Sequence, residues 1–492
     1  MKLRWDLVLL AVLVFALFWI RMELSTSTSA LSYDSYLSVR NVENIIETGK
    51  PLRFDDLSVT GSRRITNPVF DYLLAGLVLL TPLMYKLLPN LFMALLLIPV
   101  FFIGLRVTQS RGAALVAVML AGTGPIVFSS YLNTPGEAPI ALALFLAILA
   151  MIHDIDRHIF PIIISTILLT FISPIVFILV LSLLAIIVLL KVEGFGLDER
   201  VNELFYFTLV LGVWFYVIIY KQALFTHGIK VLWQNLPADL ALISFGNITL
   251  LGVLYALGVV TFLFGTFGVY HVLFETRERT SYSIIGAILA TIVMLLLRTI
   301  TVSLGLVILA VLLSIMAAYG LLISVRYVRL TKAPWMVYPI VGIIFVFFVF
   351  SAVFPALINA RLSLQESPTA EDIASMRQLG IELPADVVLL APVKESAAVQ
   401  YFSGHQTVTD SDFLLVERGD ELVKDIDSVY TSSFSTAVMG KANKLGFTHI
   451  LLTAAAQRQY GRERLLASDA FCLPVQQIGN ILIYTVVCGG GA

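Results

Sequence analysis

The chain has 492 residues, of which 59% are hydrophobic and 13% are charged, and its formal net charge is −1. Soluble domains usually carry about 25% charged residues, and a folded soluble chain could not bury this much apolar surface. The near-neutral charge gives no general attraction to nucleic acid, and the two cysteines, Cys472 and Cys488, are too few for a disulfide framework. The composition therefore predicts an integral membrane protein.

Apolar runs recur along most of the sequence. A membrane-spanning helix needs about 20 mostly apolar residues, and its backbone groups must be hydrogen-bonded within the helix. Twelve runs are candidates for such helices: 5–22, 68–88, 90–106, 112–131, 136–152, 159–172, 174–191, 201–220, 247–271, 281–297, 300–325 and 335–356. The first run is interpreted as a spanning helix rather than a cleaved signal peptide, because no small-residue cleavage site follows it.

The positions of basic residues predict the orientation. Cytoplasmic loops are enriched in Lys and Arg, and Lys2 and Arg4 place the N-terminus in the cytoplasm. If run 68–88 lies in the outer face without crossing, every later basic connector is also cytoplasmic, namely those with Arg106, Arg111, Arg157, Lys191, Arg200, Arg277, Arg279, Arg326, Arg329 and Lys332. The sequence thus predicts about eleven spans, with the C-terminus outside.

The composition changes near residue 360. Charged residues become more frequent, and the apolar runs shorten to strand length at 387–390, 407–410, 449–453 and 478–487, with helical stretches at 394–402 and 433–445. Alternating strands and helices predict a small α/β domain. We therefore expect a transmembrane domain over 1–359, with an external loop at 23–88, and an extracytoplasmic soluble domain over 360–492.

The first external loop contains a segment with both polar and apolar residues, 33–49. Asp34 has the residue type and position of a helix N-cap, and Gly49 and Pro51 end the helix. Apolar residues predict a side that rests on the membrane, and these are Leu37, Val39, Val42, Ile45 and Ile46. An ordinary interfacial helix with a capping aspartate is the alternative to a functional carboxylate.

Four segments of the first 150 residues carry a family resemblance when taken in order. They are Asp34–Pro51, Asn67–Leu74, the basic hairpin Gly104–Ala114, and Phe128–Glu137. This ordered set resembles the GT-C glycosyltransferases, and it is most similar to the catalytic subunit of archaeal oligosaccharyltransferases. The resemblance implies the GT-C fold and the transfer of sugar from a polyprenyl-linked donor.

The resemblance also implies a role for Asp34. In that family the aspartate of the first loop helps to bind a divalent metal and the acceptor, so Asp34 is the predicted catalytic residue and a possible ligand of Mg²⁺ or Mn²⁺. A hard cation held by oxygen ligands can neutralise a leaving phosphate. A carboxylate can instead accept the proton of an acceptor hydroxyl.

Two other acidic elements of the family are altered here. The acidic pair after the third span corresponds to Asn133 and Pro135, with Glu137 nearby as a possible first-turn residue of a helix. The later glutamate corresponds to Gln234, with Asp239 close by in what is otherwise a surface loop. The possible metal or acceptor-side residues are therefore Asn133, Glu137, Gln234 and Asp239. The differences leave open a metal-independent transferase or a non-catalytic relative.

Arg298 lies at the outer end of the ninth predicted span. An arginine at this depth needs a partner or must reach the interface, so an interfacial anchor is one interpretation. In the resembling family an arginine at this junction binds the donor phosphate, and the planar guanidinium can bond two phosphate oxygens. We therefore predict that Arg298 binds donor phosphate.

The C-terminal domain resembles the same family at Val387–Pro392 and Tyr401–Asp410. The oligosaccharyltransferases carry Trp-Trp-Asp-Tyr-Gly after the first strand, where it reads the acceptor sequon, whereas this chain has Pro392–Ser396. The difference argues against transfer to asparagine in a sequon.

The resemblance therefore implies a glycosyltransferase of the cell membrane, acting on its outer face. Its expected partners are a polyprenyl-(di)phosphate sugar donor, a protein or lipid-glycan acceptor and membrane lipid, and not nucleic acid. Two alternatives stay open, namely a non-catalytic GT-C relative that binds lipid or a partner, and a transporter or flippase. No internal repeat of the kind found in many transporters is visible.

Overall fold

The computed structural model describes residues 5–60, 63–65, 67–196, 199–233, 249–467 and 471–488. A bundle of apolar helices is followed by a small domain with a five-stranded sheet. The helices that precede the small domain are α1 (Trp5–Thr26), α2 (Ser35–Thr48), α3 (Pro68–Val78), α4 (Met84–Leu95), α5 (Leu97–Thr108), α6 (Arg111–Gly122), α7 (Pro125–Ser129), α8 (Ala138–Met151), α9 (Ile155–Ile172), α10 (Val176–Val192), α11 (Glu199–Ile219), α12 (Lys221–His227), α13 (Leu250–Leu257), α14 (Val259–His271), α15 (Arg279–Leu296), α16 (Val302–Arg329), α17 (Val337–Phe348) and α18 (Phe354–Gln365).

The helices support the predicted membrane protein. Within the described ranges, eight helical stretches are long and apolar enough to cross a membrane, and three shorter apolar helices accompany them at Val69–Val78, Arg111–Gly122 and Val176–Val192. The break predicted at Ser173–Pro174 separates α9 from α10. The total of eleven spans stays a prediction.

The boundary predicted for run 68–88 is wrong. Helix α3 ends at Val78, and a continuous helical stretch from Met84 to Thr108 already begins inside this run. Pro82 lies in the turn between the two helices, and proline is poorly tolerated in a helix interior because it lacks an amide hydrogen. Residues 84–88 therefore belong to the following span, and only 68–78 form a separate short helix.

Helices α14 and α16 pack at very short distance. A Cβ added at Gly268 would lie 2.2 Å from the carbonyl oxygen of Met316, and one added at Gly320 would lie 2.3 Å from that of Phe264. Small residues allow two helix backbones to approach closely in a membrane. This glycine contact fixes α14 against the long central helix α16.

The predicted α/β character of the C-terminal domain is confirmed. Its strands pair in the order β2-β1-β3-β5-β4, with β2, β1 and β3 parallel and β5 and β4 antiparallel. The elements are α19 (Ala370–Glu382), β1 (Val388–Leu390), α20 (Val393–Ser403), β2 (Gln406–Thr407), α21 (Gly419–Thr431), α22 (Ser435–Leu445), β3 (His449–Leu452), α23 (Ala454–Tyr460), β4 (Val475–Ile478) and β5 (Ile481–Thr485). Cys472 and Cys488 form a disulfide beside the β4–β5 hairpin.

Two strand predictions differ from the structure. The strand expected at 407–410 is only Gln406–Thr407, and beyond it Asp410 is held by its ion pair with Arg64 of the first loop. The single strand expected at 478–487 is a hairpin that turns at Gly479, which has a φ of 58°, a conformation that favours glycine. Helix α18 runs across residue 360, the predicted domain boundary.

The first loop is joined to the C-terminal domain. Thr407 of β2 donates its amide hydrogen to Leu57 O (2.9 Å), and Val59 donates to Thr407 O (3.0 Å), so the loop extends the edge of the sheet. Helix α2 packs between α3 and α20, which buries Val39 and Val42. The apolar side of α2 was expected to rest on the membrane, but most of it contacts protein because α20 covers it.

Candidate active site

Asp34 directly precedes α2, as predicted, yet its side chain makes no capping hydrogen bond to the helix. The helix start is instead held by backbone bonds, including Leu37 N–H to Asp34 O (3.3 Å). The Asp34 side chain is accessible to solvent. The alternative of a purely capping aspartate is therefore not supported, because the carboxylate is not used to cap the helix.

The electrostatic surroundings of Asp34 come from the C-terminal domain. Partial removal of water by the surrounding protein raises the pKa of the Asp34 carboxyl to about 6. The nearby Lys394 cation and a hydrogen bond with Ser411 lower this pKa, while Asp410 raises it. We call this accessible carboxylate, together with the groups that shift its pKa, the Asp34 recess (Asp34, Lys394, Asp410 and Ser411). At neutral pH the Asp34 carboxyl is mostly ionised and can accept a proton.

A buried ion network holds this recess together. Arg64 forms ion pairs with Asp55 and with Asp410, the latter at 2.5 Å, and Arg40 forms a second ion pair with Asp55. The Asp55 and Asp410 side chains are fully shielded from solvent. Arg40 also donates to Gln400 Oε1 (2.6 Å) in α20. The network fixes the first loop and residues 410–412 against each other, and the sequence analysis missed it because its members lie up to 370 positions apart.

Glu137 directly precedes α8 and accepts a hydrogen bond from Ser173 Oγ (3.0 Å), in the break between α9 and α10. Burial raises the pKa of the Glu137 carboxyl to about 8, and the nearby Asp71 raises it further. The side chain makes no capping hydrogen bond to α8. The environment therefore favours the neutral carboxylic acid over the carboxylate.

Asn133 is buried, and both ends of its side-chain amide contact protein. Its Oδ1 accepts from Ser25 Oγ, and its Nδ2 donates to Thr28 Oγ1 (2.6 Å) and Ala30 O (3.2 Å). Its carbonyl oxygen accepts from Ser32 N–H (3.0 Å). These bonds hold the chain just before Asp34 against the loop after α7, so the geometry supports a positioning role for Asn133.

Arg21 supports the same loop from the end of α1. Its guanidinium is fully buried and donates to the carbonyl oxygens of Val127 (3.1 Å), Phe128 (2.5 Å) and Ser130 (2.8 Å), and to Asn90 Oδ1 (3.1 Å). A guanidinium has five N–H donors, which need hydrogen-bond partners when they are buried, and these four oxygens accept from them. The sequence analysis missed this role, although a lone arginine at the end of the apolar run 5–22 is a signal that could have indicated it.

Arg298 lies in the turn between α15 and α16, where its side chain is exposed. Its φ is 56°, the left-handed region, and its amide hydrogen bonds to Leu295 O (3.0 Å). Helices often end with glycine in this conformation, whereas a residue with a Cβ atom is strained there by about 1 kcal/mol. The same conformation occurs at Gln109, Tyr131, Arg277 and Arg418, so it does not single out Arg298, and the phosphate-binding role of Arg298 stays a prediction.

The fit of a metal ion was tested on the residues present. In the described parts of the chain, no group of three or more His, Cys, Asp or Glu side chains has an arrangement that could hold a metal ion. Asn133 Oδ1 accepts a hydrogen bond from Ser25 Oγ, and Glu137 Oε1 accepts one from Ser173 Oγ. Gln234 and Asp239 lie outside the described residues. The described residues therefore do not form a divalent-metal site.

Neither a protein-family model nor a curated protein sequence matches the chain. Its structure, however, is similar to that of the Archaeoglobus fulgidus oligosaccharyltransferase in the apo form, with a TM-score of 0.66 and 14% identity over 92% of this chain and 70% of that one. It also resembles the oligosaccharyltransferase AglB of that organism in complex with an inhibitory peptide and a dolichol-phosphate, with a TM-score of 0.61 and 12% identity over 97% and 75% of the two chains.

A third similar structure is ArnT from Cupriavidus metallidurans bound to undecaprenyl phosphate. Its TM-score is 0.54, its identity is 12%, and the alignment covers 100% of both chains. The A. fulgidus enzyme has also been solved in complex with Zn and sulfate. Identities this low establish the fold and leave the activity to be tested. The chain therefore shares the fold of these oligosaccharyltransferase and ArnT structures, in agreement with the fold that its sequence resemblance implies.

Proposed function

We propose that this protein is a membrane glycosyltransferase that moves a sugar or glycan from a polyprenyl-(di)phosphate donor to an acceptor at the Asp34 recess. The observation that carries the proposal is the accessible, uncapped Asp34 carboxylate with a raised pKa, placed where the GT-C bundle meets the C-terminal domain. Two proteins of similar fold bind a dolichol-phosphate and undecaprenyl phosphate, which supports a lipid-phosphate donor.

The chemistry requires a proton acceptor and a group that binds phosphate. The acceptor oxygen forms a bond with the anomeric carbon, the bond from that carbon to the donor phosphate oxygen breaks, and the acceptor proton passes to Asp34. A carboxyl with a pKa of about 6 is mostly ionised at neutral pH and is still basic enough for this transfer. Arg298 binds the departing phosphate, whose charge grows as the bond breaks.

The acceptor is proposed to differ from a sequon peptide. An A. fulgidus oligosaccharyltransferase structure holds a tethered peptide with an NVT sequon. In this chain the segment after β1 is Pro392–Ser396, which begins α20 and presents the exposed Lys394 to the recess. Without the Trp-Trp-Asp-Tyr-Gly motif, we expect a protein or lipid-glycan acceptor without a sequon, on the outer face of the cell membrane.

The test is transfer of label from polyprenyl-phosphate and polyprenyl-diphosphate sugars into a membrane extract by the purified protein, with and without EDTA. We expect Asp34→Asn to abolish transfer, while Asp56→Asn, a change at an exposed aspartate of the same loop, leaves it unchanged. Arg298→Ala should raise the KM for the donor, whereas the exposed Arg361→Ala should not.

The alternatives predict other results. A non-catalytic relative would bind the lipid donor without transferring label, and it would do so equally well with Asp34→Asn. A flippase or transporter would move labelled lipid or solute across proteoliposomes without any glycosylated product. Either result would overturn the proposal, and loss of transfer in EDTA would show that transfer depends on a metal ion.

A further inference from the structure

An apolar cavity of about 410 Å³ lies among helices α6, α14, α16 and α17. Its walls include Ala113, Val260, Val325 and Phe345. Ser324 is the one polar side chain among its wall residues, and its hydroxyl donates to Gly320 O (2.9 Å) in its own helix. A cavity without free polar groups is unfavourable for water, so its natural occupant is hydrocarbon.

The cavity lies far from the proposed donor site. Its α16 wall residues fall between Ala318 and Val328, in the second half of the helix, whereas Arg298 precedes the helix start at Val302. A helix rises 1.5 Å per residue, so the cavity mouth near Val328 is about 40 Å along α16 from the Arg298 turn. The occupant of this cavity is therefore distinct from a donor whose phosphate is bound by Arg298.

Basic residues surround the same end of the cavity. Val328 and Val337 both belong to its wall, and the short turn between them carries the exposed Arg329 and Lys332. On the opposite wall, Arg111 precedes Ala113 by two residues and is also exposed, with its Nε 3.7 Å from Asp6. Among the described residues, no acidic side chain forms an ion pair with Arg329 or Lys332.

The turn also has the character of a membrane interface. Trp335 is 67% exposed in it, and tryptophan is enriched at the level of lipid headgroups. Clustered Lys and Arg side chains at this level attract the anionic lipids of the cytoplasmic leaflet. An apolar cavity suits the acyl chain of an anionic phospholipid, and the basic residues at its mouth suit the phosphate.

We propose that this cavity binds one acyl chain of an anionic phospholipid, whose phosphate contacts Arg329, Lys332 and Arg111. The site lies at the end of the bundle that is rich in basic residues and away from the C-terminal domain. It does not depend on the proposed transferase activity, because neither Asp34 nor Arg298 belongs to it.

The test compares binding of phosphatidylglycerol and phosphatidylcholine with the same acyl chains to the delipidated full-length protein, by native mass spectrometry. Phosphatidylglycerol should bind tighter, and Arg329→Gln and Lys332→Gln should each weaken it about fivefold, the effect of one basic residue near a membrane surface. Lys191→Gln, at an exposed lysine on α10, is the matched control and should have no effect.

A second pair of variants tests the cavity itself. Val341→Trp fills the cavity from α17 and should abolish binding of both lipids, while Ile343→Trp on the outward side of the same helix should not. Equal binding of the two lipids, or phosphatidylglycerol binding that is unaffected by Val341→Trp, would each overturn the proposal. The exposed Arg329 and Lys332 variants keep the test valid if the cavity variant fails to fold.

Discussion

Substitution of Arg64 by methionine tests the connection between the first loop and the C-terminal domain. The Arg64 side chain is 3% exposed and bonds two carboxylates that are fully shielded from solvent, those of Asp55 and Asp410. Methionine keeps much of the volume of the side chain but removes its charge. The change leaves Asp410 without its cationic partner in a buried environment.

The free-energy cost of Arg64→Met depends on the partners that Asp55 and Asp410 keep. Removing one partner of a buried ion pair typically costs 3–5 kcal/mol. Asp55 keeps Arg40, and Asp410 still accepts a hydrogen bond from Asp412 N–H (2.8 Å), so we expect the lower end, about 3 kcal/mol. Since 1.36 kcal/mol is a factor of ten, local opening of this contact should become about 150-fold more frequent.

Hydrogen exchange measures this opening directly. The amide hydrogens of Val59 and Thr407, which bond across the loop and the sheet edge, should lose about 150-fold of their protection, while those of β3 and β5 keep theirs. Arg63→Met is the matched control, because Arg63 is exposed and lies over the Phe54 ring. Equal protection in the two variants would refute the reasoning, and Asp410→Asn added to Arg64→Met should restore part of the protection.

Three further predictions concern the site, the bundle and the sheet. The transfer rate should rise as the pH passes about 6, because the raised pKa leaves Asp34 protonated below that value, and a rate that is equal at pH 5 and pH 7 would contradict this. Gly268→Ala should destabilise the protein by about 1–3 kcal/mol and so lower its thermal unfolding midpoint, because the added Cβ would lie 2.2 Å from the carbonyl oxygen of Met316. Gly342→Ala should leave the midpoint unchanged, because no atom lies within 4 Å of the added Cβ. Cys488→Ser opens a loop of 16 residues and should cost about 3 kcal/mol, seen as faster proteolysis of the β4–β5 hairpin; unchanged proteolysis would show that the disulfide is dispensable.

Local patterns predicted the elements that depend on near neighbours in the chain. The apolar runs marked the helices, and the break at Ser173–Pro174 was visible because proline lacks the amide hydrogen that would continue the helix. Asp34 before α2 and Arg298 after α15 were identified from the resemblance, and the structure places both at helix ends. The boundary at 82–88 was missed, because Pro89 is tolerated within α4.

The partners of these residues could not be predicted from the sequence. The Arg64–Asp410 pair joins residues 346 positions apart, and Lys394 acts on Asp34 from another domain. Asn133 was a candidate ligand by alignment with the family, but only the structure reveals that Ser25, Thr28 and Ala30 use its amide. The sequence gives the type of a side chain, but its hydrogen-bond partners depend on which loops the fold brings together.

By itself the sequence determined that this chain enters a membrane as helices and ends in an α/β domain, because hydrophobic length and periodicity are local properties. The tertiary structure decided that α2 packs under α20 instead of resting on lipid, and that Asp34 keeps a solvent-accessible carboxylate with a raised pKa. Those features depend on desolvation and long-range charges, which exist only once distant segments have packed against each other.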